Sequence, residues 1–405
     1  LSSTPSANRV HIGLYGKRNS GKSSLINAIT NQETALVSDF AGTTTDPVYK
    51  AMEIHGIGPC MLIDTAGFDD EGELGELRVK KTKQILNRTD CAVLVTDCTL
   101  PLGDCEKQLI SIFKEKNIPF IIAKNKADLL TDIPKDEGAV YVSAKEKTGI
   151  EELKNAVAKL TETDTMTMKL VGDLIKPDDM VVLVTPIDSA APKGRLILPQ
   201  QQAIRDVLEA NACAVVVRET ELSGVLGRIE KPALVITDSQ AFARVSKDTP
   251  EDIPLTSFSI LMARYKGFLD AAVKGVKAMD DLKDGDKVLI SEGCTHHRQC
   301  GDIGSVKLPN WLKEYTGKNL EIVLSSGHGF PEELSDFALC IHCGGCMLGS
   351  KELTYRMKCA CDADVPFTNY GIAIAYMKGI LKRSIEVFPH LVKELEDHNG
   401  GQRTY

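Results

Sequence analysis

A three-part α/β protein is predicted by three features of the sequence. Short apolar runs alternate with helical stretches along the chain, a glycine-rich turn separates the first run from the first helix, and cysteines crowd into the last third. Alternation of this kind is the pattern of parallel sheets wrapped by helices. At 405 residues the chain exceeds what one ordinary core accommodates. The expected boundaries are 1–165, 166–280 and 281–405. Hydrophobic residues at 43% and charged residues at 26% are normal for a globular protein, so neither a disordered nor a fibrous chain is expected.

Taken in order, strands are expected at 10–15, 61–64, 91–97, 118–124 and 139–143, with the first helix at 24–30. A polar stretch, 161–169, reads as a linker. The second part has buried strand-like runs at 181–184, 214–217 and 233–236, a helix at 200–210, and a long helical stretch at 260–279 ending in a turn at 280–286. The third begins with a strand at 287–290, carries the cysteine crowd, and closes with amphipathic helices at 371–385 and 387–396. No low-complexity tract and no clear short repeat is visible.

The net charge of −8 repels a polyphosphate backbone, so nucleic-acid binding is not expected. No apolar run reaches the roughly 18 residues that span a bilayer, so no membrane association is expected. The opening residues, Leu1 to Arg9, lack the apolar core of a secretory signal, which points to a cytoplasmic location.

The glycine-rich turn is Gly16-Lys17-Arg18-Asn19-Ser20-Gly21-Lys22-Ser23, running into Ser24 and the first helix. Its backbone N–H groups wrap a β-phosphate, aided by the positive helix terminus. Lys22 neutralises the β/γ oxygens and the Ser23 hydroxyl ligates Mg²⁺. Four further elements follow in GTPase order. Thr44, within Gly42-Thr43-Thr44-Thr45-Asp46, completes the Mg²⁺ shell. Asp64 holds the ion through water, and the Gly67 N–H senses the γ-phosphate. Asn125-Lys126-Ala127-Asp128 reads guanine, because one carboxylate accepts from both N1–H and the 2-amino group. Ser143-Ala144-Lys145 offers an N–H to the guanine O6. Five elements in order make GTP the expected substrate and GDP the product, with Lys22, Thr44 and Gly67 as the catalytic set.

This domain resembles the bacterial GTPases of the TrmE/Era class. Asn19 matches the asparagine that helps bind an activating K⁺ in some members. Phe68 stands where Ras-like proteins carry the glutamine that positions water. A phenyl ring cannot do that, so slow, K⁺-stimulated hydrolysis is expected, with K⁺ offsetting charge between the β- and γ-phosphates.

Of twelve cysteines, Cys60, Cys91, Cys98, Cys105 and Cys213 are scattered, most in or beside apolar runs where Cys acts as a small hydrophobe. The other seven fall between Cys294 and Cys361, a density that suits metal binding. The prominent patterns are Cys294-Thr295-His296 and His342-Cys343-Gly344-Gly345-Cys346. Thiolates favour zinc or iron–sulfur clusters, and ligand count alone does not separate the two. Cys340 reads as core. Cys300, Cys359 and Cys361 lie outside the motif, and His297 and His328 have no role that spacing identifies.

The order Cys-x-His, long gap, His-Cys-x-x-Cys, behind a GTPase domain, resembles the HydF family, the FeFe-hydrogenase maturation GTPases. The resemblance covers the whole chain. It implies a P-loop GTPase domain followed by an α/β dimerisation domain and an α/β metal-cluster-binding domain. It also implies a 4Fe–4S cluster on Cys294, Cys343 and Cys346, with two radical-SAM maturases and apo-FeFe-hydrogenase as partners. Three thiolates leave one iron for a weaker or exchangeable ligand, and His296, His342 and Asp302 are the candidates, each with a rival role orienting the other ligands. The expected function is a GTPase that carries and delivers a diiron precursor, working as a homodimer. The alternatives are a ribosome- or tRNA-associated GTPase with a structural zinc module, and an iron–sulfur redox enzyme with a regulatory GTPase domain.

Overall fold

The first apolar run forms β1 (Val10–Tyr15), and its residues alternate between two cores. Ile12 and Leu14 enter one with Leu25, Val93 and Val157; Tyr15 enters the other with Ile63, Leu94 and Phe113. A strand with apolar side chains on both faces belongs inside a parallel sheet covered by helices. The computed structural model describes residues 9–30, 47–65, 67, 85–134, 138–162, 169–187, 196–293, 302–327, 329–331 and 333–397. The expected linker lies mostly outside them. The chain divides into two compact units, Leu1–Thr167 and Met168–Tyr405.

In the first unit, α1 (Lys22–Thr30) follows β1. Next come β2 (Val48–Ile54), β3 (Gly58–Asp64), β4 (Cys91–Asp97), α2 (Asp104–Glu115), β5 (Phe120–Asn125), β6 (Ala139–Tyr141) and α3 (Ile150–Glu162). The strands lie in the order β2-β3-β1-β4-β5-β6. Only the β2–β3 hairpin is antiparallel. Because β1 sits mid-sheet, its carboxyl end opens onto the crevice where ligands bind in open α/β sheets.

The second unit holds two four-stranded parallel sheets over one continuous apolar core. The first sheet has the order β10-β9-β7-β8, from β7 (Met180–Val184), β8 (Cys213–Val217), β9 (Leu234–Thr237) and β10 (Leu255–Ser257). The second has the order β12-β11-β13-β14, from β11 (Lys287–Glu292), β12 (Glu321–Ser326), β13 (Leu339–His342) and β14 (Phe367–Asn369). These are the same sheet twice. Val184 aligns with Thr237 and Val217 in the first; Ser291 aligns with His342 and Ser325 in the second. Thr237 aligns with Ser257, and His342 with Asn369. A search for short repeats misses such a duplication, because its period is a whole domain. Its trace in sequence is Thr256-Ser257-Phe258…Ala263…Lys266-Gly267 against Thr368-Asn369-Tyr370…Ala375…Lys378-Gly379.

Both copies turn directly from the last strand into a helix, α4 (Phe258–Tyr265) and α5 (Tyr370–Met377). Ser257 and Asn369 cap these helices by accepting from the Ile260 and Ile372 N–H groups. The long helices expected at 260–279 and 371–385 are each broken by a glycine. Gly267 (φ 79°) and Gly379 (φ 71°) take the left-handed conformation. Phe268 N–H then reaches the Ala263 carbonyl, and Ile380 N–H the Ala375 carbonyl, closing both helices with a Schellman motif. After the first break, α6 (Leu269–Gly275) runs onto β14, where Gly275 is needed: a Cβ there would lie 2.2 Å from the Phe367 carbonyl oxygen. Gly371 meets Ser259 as closely; its Cβ would stand 2.2 Å from that of the serine.

Candidate functional site

The nucleotide motifs converge at the carboxyl ends of β1, β3 and β5 around a cavity of about 920 Å³. Asn19, Lys22, Ser23, Asp64, Gly67, Asn125, Lys126, Asp128, Ala144 and Lys145 line it, with Gly21 and Ser24. Ser20 is buried beneath. The turn after β1 is left-handed at Gly16 (φ 147°) and Asn19 (φ 62°). A Cβ at Gly16 would sit 2.2 Å from the Val95 carbonyl oxygen, and one at Gly21 the same distance from Asn125 Nδ2. The second constraint exists because Asn125 is a brace. Its Nδ2 donates to the Ser20 carbonyl at 3.0 Å while its Oδ1 accepts from the Ala144 N–H at 3.1 Å. One buried amide therefore links the phosphate loop to the guanine-reading segment.

Lys22 Nζ donates to the carbonyls of Gly16 (3.0 Å) and Lys17 (2.7 Å), folded back along the loop that it would leave for a phosphate. Ser23 Oγ donates to Asp64 Oδ2 at 2.5 Å, so the two side chains expected around Mg²⁺ face one another. Burial raises the Asp64 carboxyl, against the opposing pull of Ser23, Lys22 and Lys50. Asp128 Oδ1 accepts from Ser143 Oγ at 2.6 Å, which holds that carboxyl below its ordinary value. Lys126, at φ 67°, pairs with Asp97 at 2.6 Å. Burial acts to raise Asp97, but hydrogen bonds from Lys126 and Thr99 outweigh it and leave the carboxyl lowered. Thr44 and Phe68 lie outside the described residues.

The second site forms at the carboxyl ends of β11 and β13. One step past the aligned pair Ser291 and His342, the Cys343 N–H donates to the Ser291 carbonyl at 2.8 Å. The Cys343 Sγ accepts from the Gly293 N–H at 3.1 Å and the Gly345 N–H at 3.4 Å. Gly293, the last described residue before the segment that carries Cys294, is thus held against the Cys343–Cys346 loop; Cys294, His296, His297 and Cys300 lie outside the described residues, as does His328. Gly345 has φ 62°, which lets the chain double back between Cys343 and Cys346. Two partly buried cysteines, with two N–H donors on the Cys343 sulfur, suit a thiolate-bound group such as an iron–sulfur cluster. Among the described residues no three potential ligands are grouped to hold a single ion.

Of the expected fourth ligands, His342 is fully buried with both ring nitrogens engaged. Nε2 lies 3.1 Å from Arg356 Nη1, and an arginine only donates, so Nδ1–H is left to donate to the Cys343 carbonyl at 2.8 Å. Burial first, then the Arg356 charge, pushes the ring down to about 3, so it is neutral. It supports the cysteine loop rather than facing a metal. Asp302 spends Oδ2 on the N–H groups of Gly304 and Ser305 and on Ser305 Oγ.

Three residues at this edge escaped the sequence reading. Arg356, on α7 (Ser350–Asp362), is fully buried and ties together Glu352, His342 and the Gly327 carbonyl. Glu292 ends β11 and accepts from the Tyr370 hydroxyl at 3.3 Å. Burial, then the charges of Cys343, Glu292 and Asp302, pushes that phenol far above its ordinary range, so it remains a donor. None belongs to a spaced motif; the nearest signal is the adjacency of Glu292 to Gly293-Cys294. Cys340 is buried in β13, Cys359 is partly buried and Cys361 is exposed.

Comparisons with known proteins fall on the same divisions. Residues 11–126 match the family model of a 50S ribosome-binding GTPase. Residues 170–267 match the hydrogen maturase F dimerization domain, and residues 270–387 its tetramerization domain. The tRNA modification GTPase MnmE of Thermoanaerobacter sp. (strain X514) is 36% identical over 179 residues, covering 42% of this chain and 36% of that protein. GTPase Der of Wolinella succinogenes is 37% identical over 123 residues, covering 30% and 26%. The chain thus spans about a third of the length of the curated relatives it matches. The G domain of the T. maritima FeoB iron transporter, a solved structure, is 22% identical with a TM-score of 0.31, covering 38% of this chain and 99% of that one. The first unit is a P-loop GTPase domain, and its nucleotide is GTP or GDP with Mg²⁺.

Proposed function

The chain belongs to the hydrogen maturase F family of hydrogenase-maturation GTPases, and on that premise we propose that it carries a 4Fe–4S cluster on which a diiron precursor is held for delivery to apo-FeFe-hydrogenase. Cys294, Cys343 and Cys346 supply the thiolates. The observation that carries this reading is the Gly293 N–H bonded to the Cys343 sulfur, which puts the residue before Cys294 against the Cys-x-x-Cys loop. When bound, such a cluster with three thiolates offers one iron to an exchangeable ligand, as a carrier requires. Two radical-SAM maturases would supply the precursor in the cytoplasm, and GTP hydrolysis would time their exchange through the switch residues Thr44 and Gly67. No helix among the described residues is long and apolar enough to cross a membrane.

The GTPase cycle uses Lys22, Thr44 and Gly67 on the phosphates, Ser23, Thr44 and Asp64 on Mg²⁺, and Asn125, Asp128 and Ala144 on guanine. K⁺ at Asn19 replaces the missing water-positioning glutamine, so turnover is slow in Na⁺ and rises in K⁺.

Both hydrogen maturase F regions are association domains. We place the dimer contact at β8, which pairs with β7 on one side. Cys213 and Val216 are exposed along it, Val216 at 44%. Two copies related by a two-fold axis across this edge would pair their β8 strands antiparallel.

Anaerobic reconstitution tests the carrier reading. The parent chain should bind four irons and four sulfides and show the EPR signal of a reduced cluster. Cys343→Ser should lose the cluster and retain GTP hydrolysis. A colourless protein holding zinc would refute it.

A further inference from the structure

The duplicated sheet supplies an internal comparison for two lysines. Lys266 and Lys378 hold the same place in the twin copies, each beside the glycine that ends its helix, α4 or α5. A cation there ordinarily lies in water near the last carbonyls of its own helix. Lys378 does stay exposed, with Nζ 5.8 Å from the centre of the Trp311 ring. Lys266 is 3% exposed. The shared backbone does not explain that burial. What Lys266 meets is the end of the cysteine loop, which only the second copy has.

A buried amine needs an acceptor, and Lys266 Nζ donates to the Leu348 carbonyl at 2.7 Å. Leu348, two residues past Cys346, is itself buried. From it two paths lead to the Cys343 sulfur. Along the main chain, the Leu348 N–H donates to the Gly345 carbonyl at 3.0 Å, and the Gly345 N–H reaches the sulfur. Through space, the Leu348 side chain packs on Gly293, where a Cβ would stand 2.7 Å from the leucine Cγ. The Gly293 N–H reaches the same sulfur. Both donors on Cys343 therefore depend on where Leu348 sits, and Lys266 holds it there.

We propose that Lys266 is a positioning residue for the cysteine loop: from the first twin it pins Leu348, and through Leu348 it keeps both N–H donors on the Cys343 sulfur. Where it concerns a bound cluster, this rests on the carrier reading above. Hydrogen bonds to sulfur favour the more negative, reduced state, so the clamp sets how easily that state is reached. Lys266 lies in the region that matches the dimerization domain, so that domain reaches into the cysteine site at a residue no metal motif marks.

Lys266→Met, Leu348→Ala and Lys378→Met test the clamp on two forms of the full chain. In the metal-free protein, amide hydrogen exchange at Gly293 and Leu348 should quicken about tenfold in Lys266→Met. After anaerobic reconstitution the same variant should keep the parent's iron and sulfide content. Its reduction should be about tenfold less favourable, a midpoint lower by about 59 mV for one electron. Leu348→Ala retains the lysine and should move exchange at Gly293 and the midpoint the same way, each by about threefold, the loss of a modest hydrogen bond. Lys378→Met should match the parent in both. Parent-like exchange and potential in Lys266→Met, or equal shifts in Lys378→Met, overturn the assignment; should Lys266→Met fail to fold, parent-like values in Leu348→Ala do so. A parent chain that takes up no cluster overturns the carrier reading alone, because exchange in the metal-free protein still reads the clamp.

Discussion

Arg356 is the largest fully buried side chain among the described residues and the sharpest place to test what holds the cysteine edge together. Its guanidinium donates to Glu352 Oε1 from Nε (3.0 Å) and Nη2 (2.8 Å), and to the Gly327 carbonyl from Nη2 (2.6 Å). It also meets His342 Nε2 from Nη1 and lies over the Phe330 ring at 5.1 Å. Arg356→Met keeps much of the stem volume and removes the charge and every donor. Glu352, 6% exposed, is then a buried carboxylate that has lost the Arg356 charge. Breaking a buried pair in this way costs about 3–5 kcal/mol, a large part of the roughly 5–15 kcal/mol that typically holds a protein folded. Trp311, the single tryptophan, lies in the same unit, so urea unfolding followed by its fluorescence reports the right part of the chain. With a slope of about 2 kcal/mol per molar urea, the midpoint should fall by roughly 2 M. Adding Glu352→Gln should recover more than half of the loss, because no charge is then stranded. A single mutant within about 0.5 kcal/mol of the parent would refute the reasoning.

Asp128→Asn exchanges a carboxylate for an amide before the two guanine donors; GTP affinity should drop by at least about a hundredfold and xanthine nucleotides should gain, measured by fluorescent-nucleotide titration. Val216→Lys places a charge on the open edge of β8 and should convert the dimer to monomer in light scattering, while an unchanged mass would exclude that edge. Asp173 is hydrogen-bonded to and paired with Arg264, which lowers its carboxyl below the ordinary value. The resulting stability is present above the unfolded value near pH 3.9 and is lost as pH falls through the lower folded value. Asp173→Asn should therefore flatten the acid limb of the urea midpoint against pH.

The nucleotide site was legible because each motif is a contiguous string whose chemistry is local: Gly16 to Ser23 encode their own turn, and Asn125 to Asp128 their own recognition. Even there, the role of Asn125 as a brace to Ser20 depends on pairing across the sheet and leaves no trace in spacing. At the cysteine edge the Cys343–Cys346 loop was readable, but its supports were not. Arg356 looks like any helical arginine until β12 and β13 fold beside it. Glu292 and Tyr370 lie far apart in sequence and meet only through strand register. The helix breaks at Gly267 and Gly379 follow Lys-Gly pairs that were visible, yet apolar periodicity continues across both and hid them. The duplication was obscured because the copies share positions more than residues.

The meeting of Gly275 with Phe367, and of Gly371 with Ser259, leaves no slip plane between the twin sheets. Main chains in such close register cannot shear past one another without collision, so the pair behaves as a single casting. A push delivered along the outer rim of one twin arrives at the other as a displacement of the whole body.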